Sequence, residues 1–358
     1  MSLSFHSIQV REIIRETPDA ATIVFEIPEP LKTTFSYLPG QYVTVSTWLN
    51  GKEQRRAYSF CSSPYTDPHP AITVKKVSDG QVSPFLNDTL KAGDTIALMP
   101  PMGNFTAEID PENRKNYVLF GGGSGITPIM SLLKSILKQE PLSTISLVYA
   151  NRDEQSIIFH KELANLASAH PERLNIVHCL ENAPAGFSGF VGRPTIADYQ
   201  SITKNLQKEG RVNEYFICGP GGMMDAVKMA LEGMGTAQEL IHTEYFNTPV
   251  VSKETAASAP AHEEPFDGTA AATILFNGKQ FEITIPEGVT VLEAAKDQNV
   301  DPPYACQMGV CTTCRAKIIE GSVFMDEREG LSDSEINEGY VLTCQSHPTS
   351  AKLKLIYE

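Results

Sequence analysis

Four cysteines constrain this chain of 358 residues more than any other feature: Cys306, Cys311 and Cys314 crowd one short run, and Cys344 follows thirty residues after the third. The spacing C-x4-C-x2-C with a distant fourth Cys is the ligand arrangement of a [2Fe–2S] cluster, in which four thiolates converge on two bridged irons. Three of them must then come from one tight loop and the fourth from a distant strand. Gly309 and the small Thr312 and Thr313 suit that loop, because backbone N–H groups have to approach the cluster sulfurs closely. Two blander readings stay open. One is a zinc site, although zinc loops ordinarily use two C-x2-C pairs; the other is a set of unliganded buried thiols. Seven Cys is an odd number, and in a reducing compartment such a cluster points to a metal site rather than a disulfide framework.

The balance of 29 Lys+Arg against 43 Asp+Glu gives a net charge of −14, which argues against nucleic acid or an anionic membrane as the main partner. Six of those negative charges lie beyond residue 270, in the stretch that holds the cysteines. No stretch approaches the ~18 consecutive apolar residues of a membrane span. The opening run MSLSFHSIQVREIIRE lacks the basic-then-apolar layout of a signal peptide, so the expected location is the cytoplasm. At roughly 150 residues per domain, the length predicts two to three domains.

Chain organisation narrows that to three. The first hundred residues alternate β-rich runs with turn signals (SIQVREII, ATIVFEI, QYVTVSTW, RAYSF, AITVKKV, DTIALM), the pattern of an antiparallel barrel or sandwich. From Tyr117 the pattern becomes strand YVLF, a Gly-rich turn, a helix over Ile129 to Lys138, strand TISLVYA, a helix over Phe159 to Ala167, and strand LNIVHCL. Strand EYFIC, a second Gly-rich turn, and a helix over Met223 to Glu232 complete it. Such alternation predicts βαβ units on a parallel sheet. Residues 248–269 are rich in Ala, Ser, Thr, Pro and Glu, the composition of a flexible tether. Beyond it, two β runs flank Asn277-Gly278, the strongest short hairpin signal, and a helix is expected over Val289 to Gln298. The expected boundaries are 1–107, 108–247, the tether 248–269, and 270–358.

Three further motifs carry chemistry. Arg56, Tyr58 and Ser59 (RAYS) lie on a β run, and GQVS at Gly80 to Ser83 opens a short helix. An Arg, helix-start N–H groups and a Ser hydroxyl can hold a pyrophosphate, and Tyr58 offers an aromatic face to a planar ring. Taken alone, such a tetrapeptide reads as an ordinary half-exposed edge. Gly121, Gly122, Gly123 and Gly125 form a turn between the strand YVLF and a helix beginning near Pro128, a pyrophosphate cradle. Thr127 can add a hydroxyl, and Pro128 fits the first helical turn, where its missing donor costs little. The run Cys218-Gly219-Pro220-Gly221-Gly222 makes a second such turn.

The order RxYS, GxxS, GGGSGITP, CGPGGMM resembles the ferredoxin–NADP reductase superfamily across residues 7 to 247, and YACQMGVCTTCRAKIIEG with GYVLTCQS resembles the plant-type β-grasp ferredoxin module. The resemblance implies a multidomain fold: an antiparallel FAD-binding β-barrel, an α/β parallel-sheet nucleotide domain and an α+β β-grasp ferredoxin domain. It makes Cys306, Cys311, Cys314 and Cys344 the cluster ligands. Arg56, Tyr58 and Ser59 would contact flavin, with Ser59 near its reactive edge, and Gly80, Val82 and Ser83 would bind the flavin pyrophosphate, which implies FAD rather than FMN. Gly121, Gly122, Gly123, Gly125, Thr127, Pro128, Gly219 and Pro220 would hold NAD(P)H. Cys218, Glu244 and Phe246 would lie near the place where nicotinamide meets flavin. Specificity should sit at Asn151-Arg152-Asp153, where Arg152 could pair with a 2′-phosphate while Asp153 opposes it, a slight lean towards NADP over NAD.

The implied activity is that of an NAD(P)H oxidoreductase passing electrons through FAD and the cluster to an oxygenase. No strong general acid or base is required, because the cofactors do the chemistry and the protein orients them. With the ferredoxin module C-terminal, the chain resembles the reductase components of phenylacetyl-CoA epoxidase (ring 1,2-epoxidase) systems of phenylacetate catabolism. That resemblance implies a di-iron epoxidase as acceptor. Reductases of Rieske ring hydroxylases and of desaturases share the same parts, and a non-catalytic redox sensor would keep the fold while letting the hydride-transfer motifs decay.

Overall fold

The computed structural model describes residues 4–246 and 268–357, so all but the last two residues of the expected tether lie outside the described residues. Two compact units form, one of His6–Gln54 with Tyr58–Phe246, the other carrying the C-terminal residues.

The larger unit opens with six strands: β1 (His6–Thr17), β2 (Ala20–Glu26), β3 (Tyr42–Leu49), β4 (Lys52–Ser59), β5 (Ala71–Lys75) and β6 (Thr95–Leu98). Alternate residues such as Ile8 and Val10, Ile23 and Phe25, Val43 and Val45, and Ile72 and Val74 are buried, as the two-residue period of a strand demands. The strands run in the order β4-β3-β6-β1-β2-β5, antiparallel where register is defined. Just past β4, Phe60 bridges Ile72 of β5. That bridge closes a barrel, the first of the two expected forms, and hides the sheet's edges. Between β5 and β6 the GQVS run opens a short helix, α1 (Val82–Pro84), as expected.

The same unit continues with β7 (Asn116–Gly122), α2 (Ile126–Gln139), β8 (Thr144–Asn151), α3 (His160–Ala169), β9 (Leu174–Leu180), β10 (Phe190–Val191), α4 (Ile196–Leu206), β11 (Asn213–Gly219), α5 (Gly221–Gly233) and β12 (Ile241–Tyr245). Its sheet has the order β10-β9-β8-β7-β11-β12 and is parallel throughout. Every residue of β7 is buried, which is why it reads as a continuous apolar run rather than an alternating one.

Helix starts depart from expectation. Helix α2 begins at Ile126 rather than Ile129, because a single 3-10 turn at Gly123–Gly125 feeds the chain straight into it. Helix α5 begins at Gly221 rather than Met223, entered from extended Pro220. Helix α4 and the short β10 were not expected at all. The signal for α4 was present: Thr195 caps the Asp198 N–H while Asp198 reaches back to Thr195, a capping box.

In the C-terminal unit, β13 (Ala270–Phe276) and β14 (Lys279–Ile285) form the expected hairpin, with Asn277 and Gly278 both at positive φ (49° and 71°), as a type I′ turn requires. Then come α6 (Val291–Asp297), β15 (Arg315–Glu320), β16 (Val323–Met325), α7 (Asp333–Asn337), β17 (Tyr340–Leu342), β18 (Ser346–Pro348) and β19 (Lys352–Ile356). Helix α6 is shorter than expected because the Thr290 side chain caps it and Gln298 ends it. The mixed sheet β14-β13-β19-β15-β17 buries Ile274, Leu353 and Leu355 against Val291, Ala294 and Ala295 of α6. Among the described residues no helix is long and apolar enough to cross a membrane.

Candidate active site

The parallel sheet starts in its middle at β7, runs outward through β8, β9 and β10, and then returns to the other side of β7 at β11. The order therefore reverses between β7 and β11, and open α/β sheets bind ligands beyond the carboxyl ends of the strands at such a switch point. Both Gly-rich turns leave the sheet there. Gly121 of β7 is in register with Cys218 of β11, and Cys218 with Glu244 of β12, a row across three adjacent strands.

The two turns touch because they lack side chains. A methyl on Gly125 would fall 2.1 Å from the Cys218 carbonyl oxygen, and one on Gly219 would fall 3.0 Å from Gly122 Cα. Gly123 differs: at φ +52° it faces open space, and the nearest atom to a methyl there is Lys75 Nζ at 3.9 Å. An open backbone position just before a 14-residue helix, with an ammonium group beside it, suits the pyrophosphate of a pyridine nucleotide. Nothing in the sequence marks Lys75, since one Lys at the end of a β run carries no motif. Thr127 is buried, and its hydroxyl closes the turn by donating to the Ser124 carbonyl at 3.1 Å. Pro128 is buried in the first turn of α2, and Pro220 is exposed at the entry to α5.

On the barrel side, β4 presents Arg56 exposed, Tyr58 half-buried against the barrel core and Ser59 buried. Arg56 donates to the Arg55 carbonyl at 2.7 Å. Ser59 Oγ donates to Glu244 Oε2 at 3.2 Å, which joins the barrel to the row of the nucleotide sheet. Burial pushes the Glu244 carboxyl up to about 8, against the pull of that hydrogen bond. Burial, and then the charge of Glu244, holds the fully buried Cys218 thiol well above the usual thiol range, so it stays protonated. Phe246, just past β12, packs on the nucleotide-module core. In the GQVS run the Gly80 N–H donates to Val77 O at 3.1 Å, Ser83 Oγ accepts from the Val77 N–H at 3.0 Å, and Val82 is buried. Arg152 stands outside the row, exposed beyond β8, with Nε 3.0 Å from Asp153 Oδ2.

In the C-terminal unit Cys306, Cys311 and Cys314 share one loop, and Cys344 sits on the turn between β17 and β18 rather than on a strand as expected. That turn is tied to the loop by Thr343, whose N–H and hydroxyl both donate to the Cys314 carbonyl at 3.2 and 3.0 Å. The thiols associate two by two. Donation from Cys311 lowers Cys306, and donation from Cys314 lowers Cys344. Among the described residues no three His, Cys, Asp or Glu side chains meet as a single ion would need. Such pairing suits a two-iron centre in which each iron takes two thiolates. The Met308 N–H, 3.3 Å from Cys306 Sγ, supplies the N–H···S contact expected around such sulfurs.

Three family models match in chain order: an oxidoreductase FAD-binding domain over residues 7–107, an oxidoreductase NAD-binding domain over 119–229, and a 2Fe-2S iron-sulfur cluster binding domain over 274–349. The chain is 33% identical over 356 residues to one of the component polypeptides of the 1,2-phenylacetyl-CoA epoxidase of Escherichia coli (strain K12), covering 99% of this chain and 98% of that one. It is 37% identical over 352 residues to the 3-ketosteroid-9-alpha-monooxygenase ferredoxin reductase component of Rhodococcus rhodochrous, covering 97% and 95%. Among solved structures, phthalate dioxygenase reductase covers 99% of this chain and 98% of its own, with a TM-score of 0.58 at 23% identity. Barrel, parallel sheet and ferredoxin module thus recur in the same order over almost the whole chain, with FAD, NAD(P) and a [2Fe–2S] cluster as cofactors. This chain belongs to the ferredoxin–NADP reductase family, as an NAD(P)H-dependent oxidoreductase with a C-terminal [2Fe–2S] ferredoxin module.

Proposed function

We propose that this reductase feeds a di-iron phenylacetyl-CoA epoxidase of phenylacetate catabolism in the cytoplasm, with its modules bounded at 1–107, 108–247 and 270–358 and a tether at 248–269. The observation that carries the site assignment is the row Gly121, Cys218 and Glu244 with Ser59 bonded to its end. Bound there, the nicotinamide and flavin supply hydride transfer, and the cluster supplies single-electron outflow. Gly121 to Gly125 and Lys75 hold the nucleotide pyrophosphate. Arg56, Tyr58 and the Gly80–Ser83 turn hold the flavin. Ser59 Oγ and the protonated Glu244 carboxyl hold a proton beside the reacting rings, while buried Cys218 packs without reacting. Cys306, Cys311, Cys314 and Cys344 hold the irons.

Anaerobic mixing with NADPH and with NADH tests the hydride step: bleaching of flavin and cluster within seconds supports it, and its absence overturns it. Reconstitution with the epoxidase oxygenase component and phenylacetyl-CoA tests the partner. A steroid-oxygenating partner is the second reading, favoured by the 37% identity to the R. rhodochrous component. The oxygenase that turns over with this reductase at the higher rate decides between them.

A further inference from the structure

The flavin residues and the nucleotide residues stand on different modules, so the distance between the two rings depends on how the barrel is held to the α/β sheet. One face of α2 makes that join. Ser131 Oγ donates to the Ser62 carbonyl at 2.6 Å, Ser135 Oγ lies 2.7 Å from Ser63 Oγ, and Lys134 Nζ lies 2.9 Å from Asp67 Oδ2. These three side chains, spaced three and four apart, share one helix face. All three partners lie on a single barrel loop, residues 62–67, that begins three residues after Ser59.

The seam is closed to water. Ser63, Ser131 and Ser135 are fully buried and Ser62 is 2% exposed, while the Lys134–Asp67 pair lies at the rim, where Lys134 also meets Glu162 Oε1 at 3.3 Å. Each loop hydroxyl is further fixed on the barrel side. Ser62 Oγ bonds Tyr37 Oη at 2.7 Å and accepts the Ala71 N–H at 2.9 Å, while Ser63 Oγ accepts the Tyr65 N–H at 3.2 Å. Apolar surfaces tolerate sliding by a fraction of an ångström. Buried hydroxyl pairs do not, because a misaligned bond leaves a desolvated donor without its acceptor.

We propose that Ser131, Ser135 and Lys134 are positioning residues for hydride transfer: they lock the helix behind the Gly121–Gly125 turn to the loop behind Ser59, and so set the spacing of the two rings. This rests on the nucleotide and flavin assignments above. Hydride transfer needs reacting atoms about 3–3.5 Å apart, and a 1 Å displacement can cost about 100-fold.

The test is anaerobic stopped-flow reduction of the full holoprotein and of the Ser131→Ala/Ser135→Ala double variant over a range of NAD(P)H concentrations. The long-wavelength charge-transfer absorbance and the thermal midpoint are recorded alongside. The expected result is a fall of about 10- to 100-fold in the limiting reduction rate and a weakened charge-transfer band, while the nucleotide dissociation constant stays unchanged. Lys134→Gln, at the rim, should show a smaller fall of the same kind, and it carries the test if the double variant does not fold. Ser131→Thr/Ser135→Thr, which keeps both hydroxyls, should recover the rate. Limiting rate and charge-transfer band both unchanged, whatever the thermal midpoint does, would overturn the proposal. An unsubstituted protein that NAD(P)H fails to reduce would instead sink the underlying site assignment, and this inference with it.

Discussion

Glu244 is the residue whose surroundings most alter its chemistry. Its carboxyl, ordinarily near 4.5, is raised by burial to about 8, so it is neutral at pH 7 and gains its charge only as pH rises through about 8. If it holds the proton beside the flavin, reduction by NAD(P)H should change between pH 7 and 9, and Glu244→Gln should flatten that profile in stopped-flow. The folded state also binds this proton where the unfolded chain does not, so the contribution to stability falls as pH rises from about 4.5 to 8. Denaturant melts at pH 6 and 8.5 should show a smaller pH difference for Glu244→Gln than for the unsubstituted chain. At the cluster, Cys314→Ser should abolish the [2Fe–2S] absorbance and partner reduction while leaving flavin reduction intact; loss of flavin reduction as well would argue against separate roles. Gly125→Ala places a methyl 2.1 Å from the Cys218 carbonyl oxygen, an overlap with backbone that should cost about 1–3 kcal/mol in chemical unfolding.

Elements with local causes were legible in advance. The β13–β14 hairpin follows from Asn277-Gly278, the six barrel strands from alternation and turns, and the α/β sheet from its periodic change. Helix α4 was missed although Thr195 and Asp198 marked its start and Ile196, Tyr199, Thr203 and Leu206 lie at helical spacing, because a single short stripe of mixed polarity does not stand out from loop. Thr195→Ala should destabilise the protein by about 1 kcal/mol through loss of that cap, measured by thermal unfolding, and leave hydride transfer unchanged. The early start of α2 was hidden for a related reason: Gly-rich sequence reads as turn, and only the seated helix shows where the turn ends.

For the whole molecule, module order and cofactors were readable because each rests on a short motif: RAYS, GGGSGITP, CGPGGMM and the C-x4-C-x2-C run with its distant Cys344. Shortening the run 248–269 by about half should slow reduction of the oxygenase partner without changing flavin reduction, if that run lets the ferredoxin module serve both; equal partner rates would dismiss the tether. What no motif carried was convergence. Glu244, Cys218 and Ser59 meet because parallel register aligns β7, β11 and β12 and the barrel leans against their ends, and Lys75 reaches Gly123 across the same seam. The sequence by itself determined the modules and their cofactors, since the Gly-rich turns and three of the four clustered cysteines are each marked by spacing within one short run. Only the tertiary structure decided the bond from Ser59 to Glu244 and the serine seam, because these join residues 185 and 69 positions apart whose meeting depends on packing rather than spacing.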